Sequence, residues 1–131
     1  MIVDERITSY IHSLDQGNTQ LLTQIEREAR ADLVPIIRQE TASFLKVLLR
    51  MQRPKNILEV GTAVGFSALF MSEYAPADCR ITTIEKYEKR IPIARENFRL
   101  AGEEERITLL EGDADEILDR LKGSYFDFGF M

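Results

Sequence analysis

The chain has 131 residues, 44% hydrophobic and 30% charged, with a net charge of −5. That is enough for one domain with a real core and has the balance of an ordinary soluble globular protein. The charge argues against a non-specific nucleic-acid binder, which needs a basic face, and leaves open an RNA substrate bound at a local surface; no apolar run nears the roughly 20 residues of a membrane helix, and no apolar leader is expected at the N-terminus. Cys79 is the single cysteine, so no disulfide framework or cysteine-based metal cluster is expected, and the expected setting is reduced and cytoplasmic.

The first third reads as helix. Ile7, Tyr10, Ile11 and Leu14 recur at helical spacing over 2–14, and "QGN" then breaks the pattern. A second helix is expected over 18–32, with Leu21, Leu22 and Ile25 on one face. A third is expected over 34–52, with Pro35 near its first turn and Phe44, Leu45, Leu48 and Leu49 as its apolar face. From residue 54 the rhythm changes. "KNILEVG" reads as a short buried strand and "FSALFMSEYA" as a helix stopped by Pro76. "RITTIE" is a strand. "EKRIPIARENFRLAG" is a helix with Gly102 as its C-cap, and Pro92 is tolerable only in its first turn. "RITLLEG" is a third strand, "ADEILDRLKG" a helix and "YFDFGFM" a fourth strand.

Strands alternating with helices predict an α/β fold, a doubly wound, Rossmann-like parallel sheet of about four strands. An N-terminal helical segment, 1–53, precedes a sheet unit, 54–131. Ligands bind such sheets beyond the carboxyl ends of the strands, where strand order reverses, and the first strand, ending at Gly61, is expected there.

The turn "EVGTAVGFS" is the informative stretch. A phosphate-binding P-loop needs a Lys that is absent, and a dinucleotide fingerprint needs glycines where Ala63 and Phe66 stand. The pattern present is acid-x-Gly-x-x-x-Gly: Glu59, Gly61, Gly65. Both glycines permit a sharp turn and close approach of a ligand. An acid beside a pyrophosphate makes no sense. Beside a cation, an amino group or a sulfonium, it does, and S-adenosylmethionine (SAM) carries both. Glu85 ends the second strand, where a carboxylate can accept both ribose hydroxyls, although a nicotinamide enzyme places its acid similarly. Asp113 ends the third strand after Gly112, where an adenine amino group would lie.

Taken together, "ILEVGTAVGFSA", "ITTIE", "ITLLEGDA" and "FDFGFM" resemble the class I SAM-dependent methyltransferases. More narrowly they resemble the catechol O-methyltransferase-like bacterial O-methyltransferases, on the combination E-[IV]-G-T-x-x-G-[FY]-S, T-I-E and G-D-A. Among these the chain looks most like enzymes that methylate 5-hydroxyuridine at the tRNA wobble position, while related members act on catechols and caffeoyl-CoA-like phenols. The resemblance implies that Ile37 packs near the cofactor and that Glu59, Gly61 and Thr62 line its methionine end. It implies that Ser67 bonds the cofactor carboxylate at a helix N-terminus, that Glu85 holds the ribose, and that Asp113 and Ala114 contact the adenine. It assigns no catalytic residue and no metal ligand here.

Family members continue after the fourth strand as F-[IM]-D-A-A-K, whose Asp binds a divalent metal. This sequence stops at Met131. The expectation is therefore the cofactor half of a longer O-methyltransferase, inactive alone, with Mg²⁺ or a similar ion joining only a full-length chain. The alternatives are a fragment that binds SAM or S-adenosylhomocysteine (SAH) without chemistry, and a nicotinamide domain, which Ala63 and Phe66 disfavour. The expected partners are the cofactor, tRNA as a substrate and a second copy, with no membrane; the open fourth strand invites pairing. The remaining residues have plainer readings. His12 reads as surface, Cys79 as structural, Phe126, Phe128 and Phe130 as strand core, and "GEEER" as a solvated helix end. Lys86 and Tyr87 read either as adenosine contacts or as a cap of the next helix, and Asp127 as lying inside the fourth strand.

Overall fold

The computed structural model describes residues 4–131; Ile2 and Val3 of the first expected helix lie outside it. In chain order the elements are α1 (Glu5–Ser13), α2 (Gln20–Ala31), α3 (Gln39–Gln52), β1 (Asn56–Val60), α4 (Phe66–Tyr74), β2 (Arg80–Glu85), α5 (Ile91–Ala101), β3 (Ile107–Glu111), α6 (Ala114–Arg120) and β4 (Phe128–Phe130). The four strands form one parallel sheet in the order β3-β2-β1-β4. Strand order runs outward from β1 to β3 and then jumps to the other side of β1. The reversal falls between β1 and β4, as expected of a doubly wound sheet. Right-handed crossovers put α4 and α5, which touch each other, on one face and α6 on the opposite face.

α4 is the structural hub. Phe66, Ala68, Leu69, Phe70, Met71 and Ser72 are all buried, because this helix lies between the sheet and the helical pair α2 and α3. A helix with apolar residues on every side is stable only when covered on every side. Leu22 and Ile25 of α2 and Leu45 and Leu49 of α3 supply the cover, and Ile57 and Ile81 close the core from the sheet. Pro92 lies in the first turn of α5 and Gly102 caps its end in the left-handed conformation, so neither breaks the helix.

The helical segment differs from its sequence reading. α1 buries none of its residues, and Ile7, Tyr10, Ile11 and Leu14 remain exposed. What fastens α1 is a hydrogen-bonded pair between the His12 imidazole and the Glu40 carboxylate of α3, so His12 is a half-buried tether and not a free surface residue. α3 begins at Gln39; Pro35 lies ahead of it in irregular chain, where its fixed φ is equally at home. Phe44 is exposed while Leu45 and Leu49 are buried, because α4 covers one stripe of α3 and leaves the neighbouring stripe bare.

Candidate functional site

β1 ends at Val60 and the chain turns at once. Gly61 has φ +95°, Ala63 φ +50° and Gly65 φ +90°, so three left-handed residues carry the backbone from the strand into α4. The Gly61 and Thr62 N–H groups both donate to the Ile84 carbonyl, at 2.9 and 3.1 Å, which pins the turn to the end of β2. The Asn97 side chain, buried on α5, donates to the Val64 carbonyl at 2.8 Å. A Cβ at Gly61 would meet nothing within 4 Å. Its left-handed φ requires glycine, and the space above it is open.

Two clefts meet over this turn. One, of about 220 Å³, is lined by Pro35, Ile36 and Ile37 from the segment before α3, by Val60 to Ala63 of the turn, by Phe66 and Ser67 of α4, and by Phe130. The other, of about 350 Å³, is lined by Val60, Gly61, Ile84, Glu85, Lys86, Gly112, Asp113, Ala114 and Asp115. Val60 and Gly61 belong to both. The clefts form one trough along the carboxyl ends of β4, β1, β2 and β3, at the switch point.

The predicted residues divide into three groups. Gly61, Glu85, Asp113 and Ala114 line the second cleft, while Ile37, Gly61, Thr62 and Ser67 line the first. Glu59 lines neither. It is wholly buried, its two oxygens accepting from Ser67 and Thr83. Burial pushes its carboxyl up to about 7, and the Glu85 charge pushes in the same direction, against the two hydroxyl donors. Thr62 borders the trough through its backbone, but its hydroxyl is turned inward to Thr83 at 2.6 Å.

Glu85 keeps 8% exposure at the end of β2. One of its oxygens accepts the Ala63 N–H at 3.3 Å, which leaves most of its acceptor capacity for a ligand. Asp113 caps α6, accepting the Asp115 N–H at 2.9 Å, and lies 3.8 Å from the Lys86 ammonium. Glu85, Asp113 and Asp115 together make this end of the trough acidic. Such a lining suits hydroxyl and amino groups and repels phosphate. Among the described residues, no three His, Cys, Asp or Glu side chains come together as metal ligands, and no helix is long and apolar enough to cross a membrane.

Two readings change with the geometry, and one residue is new. Gly65 does not open the turn to a ligand, because its missing side chain makes room for Phe98. Asp127 precedes β4, and its carboxylate accepts the Lys55 and Asn56 N–H groups at 2.9 Å, fixing the start of β1. Thr83 was not singled out from the sequence. The available signal was register: Thr83 stands opposite Glu59 in the β1–β2 pairing, so a hydroxyl on β2 faces the acid on β1.

The family profile described as O-methyltransferase matches residues 11–131. The chain belongs to the O-methyltransferase family. Among its O-methyltransferase relatives, the catechol O-methyltransferase of Niastella koreensis is 30% identical over 119 residues, covering 89% of this chain and 54% of that protein. The transmembrane O-methyltransferase homolog of Rattus norvegicus is 28% identical and covers 94% of this chain and 49% of its own. The chain thus spans about half the length of the curated relatives it matches. Two solved structures share the fold with SAH bound. The Podospora anserina methyltransferase has TM-score 0.87 at 29% identity, covering 96% of this chain and 55% of that one. The Bacillus cereus O-methyltransferase has TM-score 0.83 at 25% identity, covering 96% and 60%. The class I SAM-dependent family expected from the sequence motifs is the one the chain belongs to.

Proposed function

We propose that the trough holds SAM and that the whole protein is a SAM-dependent O-methyltransferase. The observation that carries this reading is the acidic end of the trough beside an open glycine turn: Glu85, Asp113 and Gly61 line one cleft at the switch point. The donor set fits a nucleoside without phosphates and disfavours a dinucleotide. In this reading residues 1–53 act as a helical cap and residues 54–131 as the cofactor-binding unit.

Each residue then has a task. Glu85, with acceptor capacity to spare, holds the two ribose hydroxyls. Asp113 and Ala114 flank the adenine. Gly61 lets the backbone approach the middle of the ligand without a Cβ in the way. Ser67, in the first turn of α4, and the N–H groups around it hold the methionine carboxylate, helped by the helix N-terminus. Ile37 and Phe66 shield this end from water. When bound, SAM supplies an electrophilic methyl group whose sulfonium leaves as a neutral thioether. The protein contributes alignment of an acceptor oxygen with that methyl, an effect of proximity and orientation.

The acceptor in this proposal is a hydroxyl of a catechol or phenol, or the 5-hydroxyuridine of a tRNA wobble position. The proposal includes a cytoplasmic setting, a homodimer, and a divalent metal that activates the acceptor in the whole protein. The described residues do not themselves fit a metal site.

Calorimetric titration with SAH, SAM and NAD tests the reading. SAH and SAM should bind and NAD should not. Glu85→Ala should weaken SAH binding by about tenfold to a hundredfold, the loss of charge-assisted hydrogen bonds. NAD binding without SAH binding would overturn the proposal. Binding with no methyl transfer to any hydroxyl acceptor would favour the cofactor-holding fragment over the enzyme.

A further inference from the structure

Among the described residues Glu59 is the fully buried acid beside the trough, and Ser67, which lines the trough, donates to it. Its surroundings form a line of hydroxyls. The Thr83 hydroxyl donates to Glu59 Oε1 at 2.6 Å, and Ser67 donates to Glu59 Oε2. The Thr62 and Thr83 hydroxyl oxygens are 2.6 Å apart. Thr83 has one proton and spends it on Glu59, so Thr62 is the donor between the two threonines. Every proton in this line points toward Glu59, as it must when Glu59 is ionised. In that arrangement Ser67 shows the trough only lone pairs, while a ligand carboxylate needs a donor. One added proton resolves the conflict. A neutral Glu59 donates to Ser67 Oγ, and the Ser67 hydroxyl is then free to donate into the trough.

We propose that Glu59 and Thr83 are positioning residues behind Ser67: a proton held on Glu59 turns the Ser67 hydroxyl toward the ligand carboxylate, so cofactor capture draws a proton into the protein. The proposal rests on the SAM reading above and deepens it. The groups facing Glu59 are Ser67 from α4, Thr83 and the acidic Glu85 from β2, and the paired backbone of Phe130 from β4. Glu85 opposes ionisation of Glu59, and burial opposes it more strongly, placing its midpoint at about 7. Near neutral pH the two orientations of Ser67 are therefore both accessible, and a ligand carboxylate selects one. A ligand cation lodged against Ser67 would select the other and expel a proton, so the two arrangements differ in sign.

Titration of the full chain with SAH, in buffers of different ionisation heat, reads that sign. Uptake of about half a proton is expected at pH 7, and affinity should fall above that pH toward about tenfold per unit. Glu59→Gln should flatten the profile. Thr83→Val removes a donor to the carboxylate and should move the midpoint up by about one pH unit; Thr83→Ser should return it to the wild-type value. Proton release, no proton exchange, or a Thr83→Val profile superimposed on the wild type would each overturn the relay. Failure of the wild type to bind SAH at any pH would instead remove the SAM reading, and the relay with it. Were Thr83→Val to misfold, the wild-type buffer series alone would still decide.

Discussion

Gly65 and Phe98 occupy one space. A Cβ built on Gly65 would lie 2.7 Å from the edge of the Phe98 ring, and the Gly65 backbone has φ +90°. Phe98 is buried on α5, which Asn97 also ties to the turn after β1 through the Val64 carbonyl. The second glycine of the sequence pattern is therefore a packing requirement between the turn and α5. Gly65→Ala should destabilise the fold by about 2–4 kcal/mol, from the left-handed backbone and from overpacking. In a Phe98→Leu background the same change should cost less, since only the backbone part remains. Urea unfolding of the four proteins in a double-mutant cycle measures this; additive effects would show that the ring is not what excludes a side chain.

Arg106 is a second packing device that reads in the sequence as part of a solvated charge run. Its guanidinium donates to the carbonyls of Cys79, Ser72 and Pro76, at 3.2, 3.1 and 3.1 Å, and pairs with Glu103 at 3.0 Å. One side chain thus ties the end of α4 and the loop before β2 to the turn before β3. Arg106→Met keeps most of the stem packing and removes the donors. A loss of about 2–3 kcal/mol is expected, seen as a lower denaturation midpoint. A change within experimental error would place these carbonyls in ready contact with water.

Asp127 makes a smaller, pH-dependent contribution. The Lys55 and Asn56 N–H groups hold its carboxyl below the usual value of 3.8. Its stabilising effect is fully present above that unfolded value and is lost as pH falls through the lower folded value. Asp127→Asn should cost about 0.5–1 kcal/mol at neutral pH, a figure reduced for solvent screening. The difference from wild type should shrink as the pH falls below the usual aspartate range and the carboxylate takes up its proton. Thermal unfolding across that range checks it.

The sheet was legible because its signals are local. Short runs of aliphatic and β-branched residues mark β1 to β3, Gly61 and Gly112 follow β1 and β3, and the left-handed helix caps at Gly65 and Gly102 are glycines. The trough was legible for the same reason: in a parallel sheet with known crossovers, strand-terminal residues such as Gly61, Glu85 and Asp113 must share one edge. What one position cannot show is its partner across the fold. Gly65 with Phe98, Arg106 with three carbonyls, Asp127 with the start of β1, and Thr83 with Glu59 are all long-range pairs. The outer helices misled for a related reason. Periodicity names an apolar face, but the face of α1 and the Phe44 stripe of α3 are exposed because no described element packs over them.

Glu59 makes the stability of the ligand-free fold depend on pH between the ordinary glutamate range and neutrality. Its carboxyl rises from 4.5 in the unfolded chain to about 7 in the fold, chiefly through burial. Between those values the folded state holds a proton that the unfolded state has lost. Stability therefore falls as pH rises through this window and levels off above it. The full span corresponds to on the order of 3–4 kcal/mol. Gln at this position keeps the shape, accepts from Thr83 and donates to Ser67, and it cannot ionise. Glu59→Gln should exceed the wild type in stability by no more than about 1 kcal/mol near pH 5 and by most of that span at pH 8. Urea unfolding of both ligand-free proteins at pH 5, 7 and 8 measures the difference directly, because every other titrating group is common to the pair. An equal gap at all three pH values would mean that Glu59 stays charged within the fold, and the hydroxyls of Ser67 and Thr83 would then be strong enough to hold that charge unaided.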